Sequence, residues 1–396
     1  MHEASRTAGG RCLYVKHQVE KEPDGRWVAK AHLRYGKRFA DSPREVYFRS
    51  TLGPLDPDNS DFLLPLSLIP AMVRGEELQI EGRISTRLRQ NIPRLQDVLG
   101  VFAPSFSHVA NRVAVNAEGD EQRTYADGRG VACFFSGGVD SMYTALQHRQ
   151  ELSALVFIHG IDIDLDNPAH EGVIQGVRRA AEAIGLPLVE VETNAKTFGD
   201  RSLHWEFYSG SVLASTALLL QPYFHKFYIA GSRSIAMLFA LGTHPLLDPL
   251  WGTEGLEIEN DALSERWEKL EYLSRSVVAQ NHLRVCYENR DGAYNCGECT
   301  KCLWVMAILS AYGVLSRFKT FDKPLDLDKV GKLSFGSPIT RLPAEQVAKA
   351  LAKRDVDPEV LQAILRAIRR WNPRFGEDEG GRLGGWFAEA WPIARG

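Results

Sequence analysis

Phe134-Phe135-Ser136-Gly137-Gly138-Val139-Asp140-Ser141 is the stretch on which the reading of this chain turns. Before it, Gly130-Val131-Ala132-Cys133-Phe134-Phe135 is an apolar run of the length of a buried strand, and after it Met142 to Gln150 has the pattern of a helix. A strand that passes through Ser-Gly-Gly into a helix N-terminus is a phosphate cradle. The glycines let backbone N–H groups approach an anion, and the helix dipole adds about half a positive charge there. The hydroxyls of Ser136 and Ser141 can donate to phosphate oxygens, and the Asp140 carboxylate can hold a magnesium ion. No Gly-Lys-Ser/Thr closes the loop and no Gly-x-Gly-x-x-Gly is present in it, so the two commonest nucleotide fingerprints do not describe it.

From Gly130 onward strand-like and helical stretches alternate, which predicts an α/β fold with a parallel sheet and helices on both faces. In such sheets ligands sit beyond the carboxyl ends of the strands. Ala154 to His159 and Phe227 to Ala230 read as strands, so His159 and the Gly231-Ser232-Arg233 turn are expected beside the cradle as cofactor-binding residues. Arg233 there can pair with a phosphate or a substrate carboxylate. Between Leu241 and Glu257 lies a non-repetitive loop rich in Pro and Gly. It offers His244, Asp248 and Glu254 as polar contacts to a substrate, and Trp251 as a surface on which a base can stack.

Cys286, Cys296, Cys299 and Cys302 are spaced C-x9-C-x2-C-x2-C. Four thiolates with two tight pairs can close a tetrahedron around zinc, with Gly297 turning the knuckle. An iron–sulfur cluster is the competing reading, because C-x2-C-x2-C also opens the bacterial ferredoxin run. That run continues to a Cys followed by Pro, which Leu303 to Gly313 lacks; the fourth cysteine lies upstream instead, and zinc is favoured. With all four positions filled by protein, the metal has a structural role.

The loop Ser136-Gly137-Gly138-Val139-Asp140-Ser141 resembles the PP-loop of the N-type ATP pyrophosphatases, the adenine nucleotide alpha hydrolase-like superfamily with Ser-Gly-Gly-x-Asp-Ser. Followed by this order of cysteines, it is similar to the 7-cyano-7-deazaguanine synthase (QueC) family over about residues 130 to 315. The resemblance implies an ATP-dependent ligase that adenylates a deazaguanine-like acid, releases AMP and pyrophosphate, and joins the acyl group to an amine. It assigns Ser136, Gly137, Gly138, Asp140 and Ser141 to ATP pyrophosphate and Mg2+, with Asp140, Ser136 and Ser141 catalytic, and the four cysteines to Zn2+. The acceptor is ammonia or a protein amine, since QueC-like proteins with extra domains also occur in antiviral operons. The family's Tyr-Pro-Asp-Cys-Arg loop is only loosely echoed by His244-Pro245-Leu246-Leu247-Asp248.

The 396 residues predict three parts. These are an N-terminal α+β domain over 1–128, the ligase-like domain with its metal knuckle over 129–320, and a helical C-terminal extension over 321–396. A net charge of −3 argues against a broad nucleic-acid surface. The N-terminus has no signal-peptide pattern, and Val212 to Leu220, the most apolar helical stretch, is too short for a bilayer. A cytoplasmic enzyme is expected, acting on small molecules and forming a homodimer. Two rival readings remain: a PP-loop enzyme that modifies tRNA, which needs reactive cysteines outside the cluster, and a catalytically silent ATP-binding scaffold.

Overall fold

In the computed structural model, which describes residues 12–34, 45–200, 203–335 and 338–372, the apolar run before the Ser-Gly-Gly turn is a strand inside a sheet of ten. In chain order the strands are β1 (Cys12–Lys21), β2 (Trp27–Arg34), β3 (Glu45–Ser50), β4 (Glu77–Ser85), β5 (Val115–Glu121), β6 (Gly130–Phe134), β7 (Ala154–His159), β8 (Leu188–Thr193), β9 (Phe224–Ala230) and β10 (Glu257–Asp261). Their order across the sheet is β10-β9-β6-β7-β8-β3-β2-β1-β4-β5. From β10 to β8 every neighbouring pair is parallel, β8-β3-β2-β1 is antiparallel, and β1-β4-β5 is parallel again. The fold is α/β with a mostly parallel sheet.

The helices of this part are α1 (Leu63–Arg74), α2 (Thr86–Phe102), α3 (Val139–Gln147), α4 (His170–Ile184), α5 (Ala195–Asp200) and α6 (Trp205–Leu219). All six residues of β7 are buried, as a strand covered on both faces requires, whereas β3 alternates buried and open positions. From β6 the chain moves outward through α3, β7, α4 and β8. It then returns over α6 to place β9 on the other side of β6. That reversal makes the carboxyl ends of β6 and β9 a topological switch point, where open α/β sheets bind ligands.

The expected boundary at residue 128 falls between β5 and β6 of this one sheet. β3 pairs with β8 through Phe48↔Thr193 and Arg49↔Glu192, and so covers what would otherwise be an open strand edge. A single apolar core joins Leu13, Phe48, Phe62 and Leu95 from the first 128 residues to Val156, Phe227 and Trp251. The chain divides instead into the compact units Met1–Ser264 and Glu265–Gly396.

The second unit holds α7 (Arg266–Leu273), α8 (Val277–His282), α9 (Thr300–Ala311), α10 (Leu327–Val330), α11 (Pro338–Leu351) and α12 (Pro358–Arg369). α12 buries Val360, Ala363, Ile364, Ala367 and Ile368 along one stripe and leaves its arginines on the other side. Among the described residues no helix is long and apolar enough to cross a membrane.

Candidate functional site

The Ser-Gly-Gly turn leaves the sheet in two steps. Phe135 still donates its N–H to Val156 O at 2.8 Å, and the first helical bond, Met142 N–H to Gly138 O, closes at 2.8 Å. Gly137 between them has φ +75°, which costs glycine nothing and other residues a clash. Gly138 is extended and caps α3, so the helix N-terminus opens onto the turn. Ser141 Oγ accepts the Ser136 N–H at 3.2 Å and lies 3.4 Å from Ser136 Oγ. The buried Ser141 therefore shapes the turn from inside, whereas Ser136, Gly138 and Asp140 are half-buried. That arrangement can present N–H groups and a carboxylate to an anion and its counter-cation.

The neighbouring strand ends lie where the sheet topology requires, but not every side chain points to the crevice. β6 and β9 run side by side with Cys133↔Tyr228 in register, so the Gly231-Ser232-Arg233 turn stands next to the cradle. A Cβ on Gly231 would fall 2.7 Å from Asp261 O and 2.9 Å from Asn260 Oδ1. Close approach of β10 thus explains the glycine. Ser232 and Arg233 are half-buried, and the Arg233 guanidinium lies 5.7 Å from the Phe239 ring centre.

His159 departs from its expected role. It is 8% exposed, and its two ring nitrogens face Glu190 Oε2 at 2.9 Å and His170 Nε2 at 3.3 Å. Burial alone would raise the Glu190 carboxyl. Hydrogen bonds from His159 and Arg178 outweigh it and hold that carboxyl at about 2. His159 belongs to a charged network behind β7 and β8, and has no ring nitrogen left for a nucleotide.

The loop expected to face substrate buries His244, Asp248 and Trp251 instead, with Glu254 left exposed. Trp251 is 0% exposed and is the largest fully buried side chain among the described residues, so no base can stack on it. Its apolar area drives the loop into the core. Glu254 accepts the Ser85 hydroxyl at 2.6 Å and the Arg87 N–H at 2.7 Å, which ties it to the start of α2. Asp248 is fully buried and accepts from Asn260 Nδ2 at 2.7 Å and from the His244 N–H at 3.2 Å. Buried His244 takes the Leu246 N–H on Nδ1 and packs edge-on to Phe102, with burial lowering its imidazole below the ordinary range. The loop also needs Gly210 beneath it, where a Cβ would lie 1.8 Å from Gly242 O. These four residues fasten a clamp over α2 and α6.

Asp261, at the end of β10, was not singled out in the sequence. Its carboxylate accepts the Thr144 hydroxyl of α3 at 2.8 Å and His148 Nε2 at 3.1 Å, while its carbonyl accepts the Gly231 N–H at 2.7 Å. A lone Asp closing Glu-Ile-Glu-Asn-Asp carries no signal that would have marked it.

In the second unit the four cysteines converge. Cys286 and Cys299 Sγ are 3.9 Å apart, Cys296 and Cys302 Sγ 4.0 Å, and all four lie within 4.8 Å of one another. Thiolates around zinc at about 2.3 Å stand roughly 3.8 Å apart, so the cage has room for one ion such as zinc. The N–H groups of Asn289 and Cys299 donate to Cys286 and Cys296 Sγ, each at 3.2 Å, as in a metal knuckle. Gly297, at φ +70°, turns the second knuckle. Hydrogen bonds from Cys299 and Cys302 hold Cys286 well below the thiol range, and the same crowding pushes Cys302 far above it. A cation would let all four be thiolates together.

Asn295 organises this cage and was missed in the sequence. Its Oδ1 accepts the N–H groups of Val285 and Cys286, at 2.8 and 3.1 Å, and its Nδ2 donates to Leu283 O and Thr320 O. Comparison with known proteins returns no matching family model and no matching curated protein.

Proposed function

We propose that this chain is an ATP-dependent C–N ligase that activates a carboxylic acid of deazaguanine type. The single observation that carries the reading is the Ser136–Ser141 turn, opening a helix N-terminus at the switch point between β6 and β9. A carboxylate is a poor electrophile, because its leaving group would be oxide. Its oxygen attacks the α-phosphorus of ATP, the Pα–O–Pβ bond breaks, and pyrophosphate departs with the bonding pair. An amine then adds to the carbonyl carbon of the acyl-adenylate and AMP leaves. Backbone N–H groups of the turn and the α3 N-terminus stabilise the departing charge. Magnesium held through Asp140 would supply further charge neutralisation there. Zinc held by the four cysteines would brace the second unit, with no coordination position left for substrate.

The acceptor is ammonia, giving an amide whose oxygen a second ATP can adenylate and carry off on AMP to leave a nitrile, or a protein amine, giving an amide, as in antiviral defence or modified-nucleobase metabolism. Cysteine chemistry weighs against a tRNA-thiolating reading: burial pushes the Cys133 thiol far above its ordinary range, and burial likewise raises Cys12. The test is pyrophosphate release from ATP and Mg2+ with 7-carboxy-7-deazaguanine, using ammonium or a glycine-terminated peptide as acceptor. Release should depend on the acid and fall about 100-fold or more in Asp140→Ala. Acid-independent release, or none from the wild type, would contradict the proposal.

A further inference from the structure

Arg284 lies two residues before Cys286, is 6% exposed, and pairs with no carboxylate among the described residues. Its Nη2 donates to Asn289 Oδ1 at 3.2 Å, and its Nε has no partner among the described residues. A buried guanidinium is costly unless an anion offsets it. Asn289, which holds the guanidinium on its side chain, donates its backbone N–H to Cys286 Sγ at 3.2 Å. Asn289 therefore contacts the guanidinium through its side chain and the cage through its backbone N–H.

Four thiolates around a divalent ion carry a net charge of 2−, and the N–H···S bonds offset only part of it. Three other cations near the cage are engaged with carboxylates. Lys323 and Lys329 reach Glu298 at 3.5 and 3.1 Å, and Arg290 lies 3.9 Å from Glu298 and pairs with Glu288. All three are about half exposed, where solvent and salt screen them.

We infer that Arg284 is the counter-cation of the metal–tetrathiolate centre. It is a positioning residue that acts on Cys286 through Asn289 and raises the affinity of the cage for a divalent ion. The inference rests on the reading of the four cysteines as metal ligands. Its electrostatic logic is that of other outer-shell partners, whose loss lowers metal affinity about 10- to 100-fold.

The experiment uses the full chain, with zinc affinity measured by competition with a chromophoric chelator. Arg284→Met should lose zinc affinity by about 10- to 100-fold, and Arg284→Lys, which keeps the charge, should recover most of it. In the Co2+-loaded protein, Arg284→Met should also move the sulfur-to-metal charge-transfer bands to lower energy, because uncompensated thiolates donate more readily. Where the Met variant does not fold, Arg284→Gln removes the charge and keeps a donor for Asn289, with the same losses expected. Wild-type affinity with unshifted bands in the neutral variant would overturn the inference, as would equal losses in the Lys and neutral variants. A wild-type chain that takes up no stoichiometric zinc would overturn the metal reading itself.

Discussion

The Thr144 hydroxyl donates to Asp261 Oδ2 at 2.8 Å, binding the cradle helix to the last strand of the sheet. Because the Asp261 carbonyl also holds the Gly231 N–H, one residue spaces the two walls of the candidate crevice. Thr144→Val keeps the volume and deletes the hydrogen bond. It should cost about 1 kcal/mol of stability. Asp261→Ala should weaken ATP·Mg2+ binding about tenfold in the folded protein, as titration calorimetry would show. Unchanged nucleotide affinity in folded Asp261→Ala would separate this bolt from the crevice.

Asp248 makes folding stability depend on pH in a window set by its own environment. Burial pushes its carboxyl up to about 7, against which the hydrogen bonds from Asn260 and His244 act only in part. In the unfolded chain the carboxyl titrates near 3.9. Between about pH 4 and 7 the folded protein keeps a proton that the unfolded chain releases, so this contribution is full below pH 4 and lost as pH rises to about 7. Asp248→Asn should flatten that slope, removing up to about 4 kcal/mol of pH-dependent stability. Urea midpoints at pH 5 and pH 8 for both proteins check it; parallel profiles would show that Asp248 is ionised in the folded state.

Glu254 separates a structural loop from a substrate loop. Glu254→Ala removes the acceptor for Ser85 and for the Arg87 N–H, and should destabilise the protein by about 1–2 kcal/mol. It should leave ATP affinity and acid-dependent turnover unchanged, measured below the variant's melting point. A selective loss of affinity for the acid with stability intact would return this loop to the substrate site.

The parts legible in the sequence are those whose cause is local. The Ser136–Ser141 turn could be read because the φ of Gly137 and the N-terminus of α3 demand particular residues within a few positions. The cap of α2 has an equally local cause: Ser85 Oγ accepts the Leu88 N–H at 3.1 Å, with Leu88, Ile92, Leu95 and Leu99 buried beyond it. The cysteine cage was legible from spacing alone, since two-residue gaps fix where the sulfurs fall.

What could not be read depends on contacts between distant segments. Nothing near Phe48 says that it will lie opposite Thr193, so the join of the first 128 residues to the rest of the sheet is invisible locally. Trp251 sits in a loop without periodicity, and only the core built by other segments decides that its ring turns inward. His159 was placed correctly at a strand end, but the direction of its ring is set by Glu190 and His170, each from another element.

The attack of a carboxylate oxygen on the α-phosphorus is the step that defines the proposed chemistry, and isotope transfer reports it directly. The acid is labelled with 18O in its carboxylate and turned over with ATP, Mg2+ and an amine, and the released AMP is weighed by mass spectrometry. One 18O is expected in each AMP, carried over when the amine displaces it from the acyl-adenylate. AMP without label, or ADP with labelled phosphate, would contradict it.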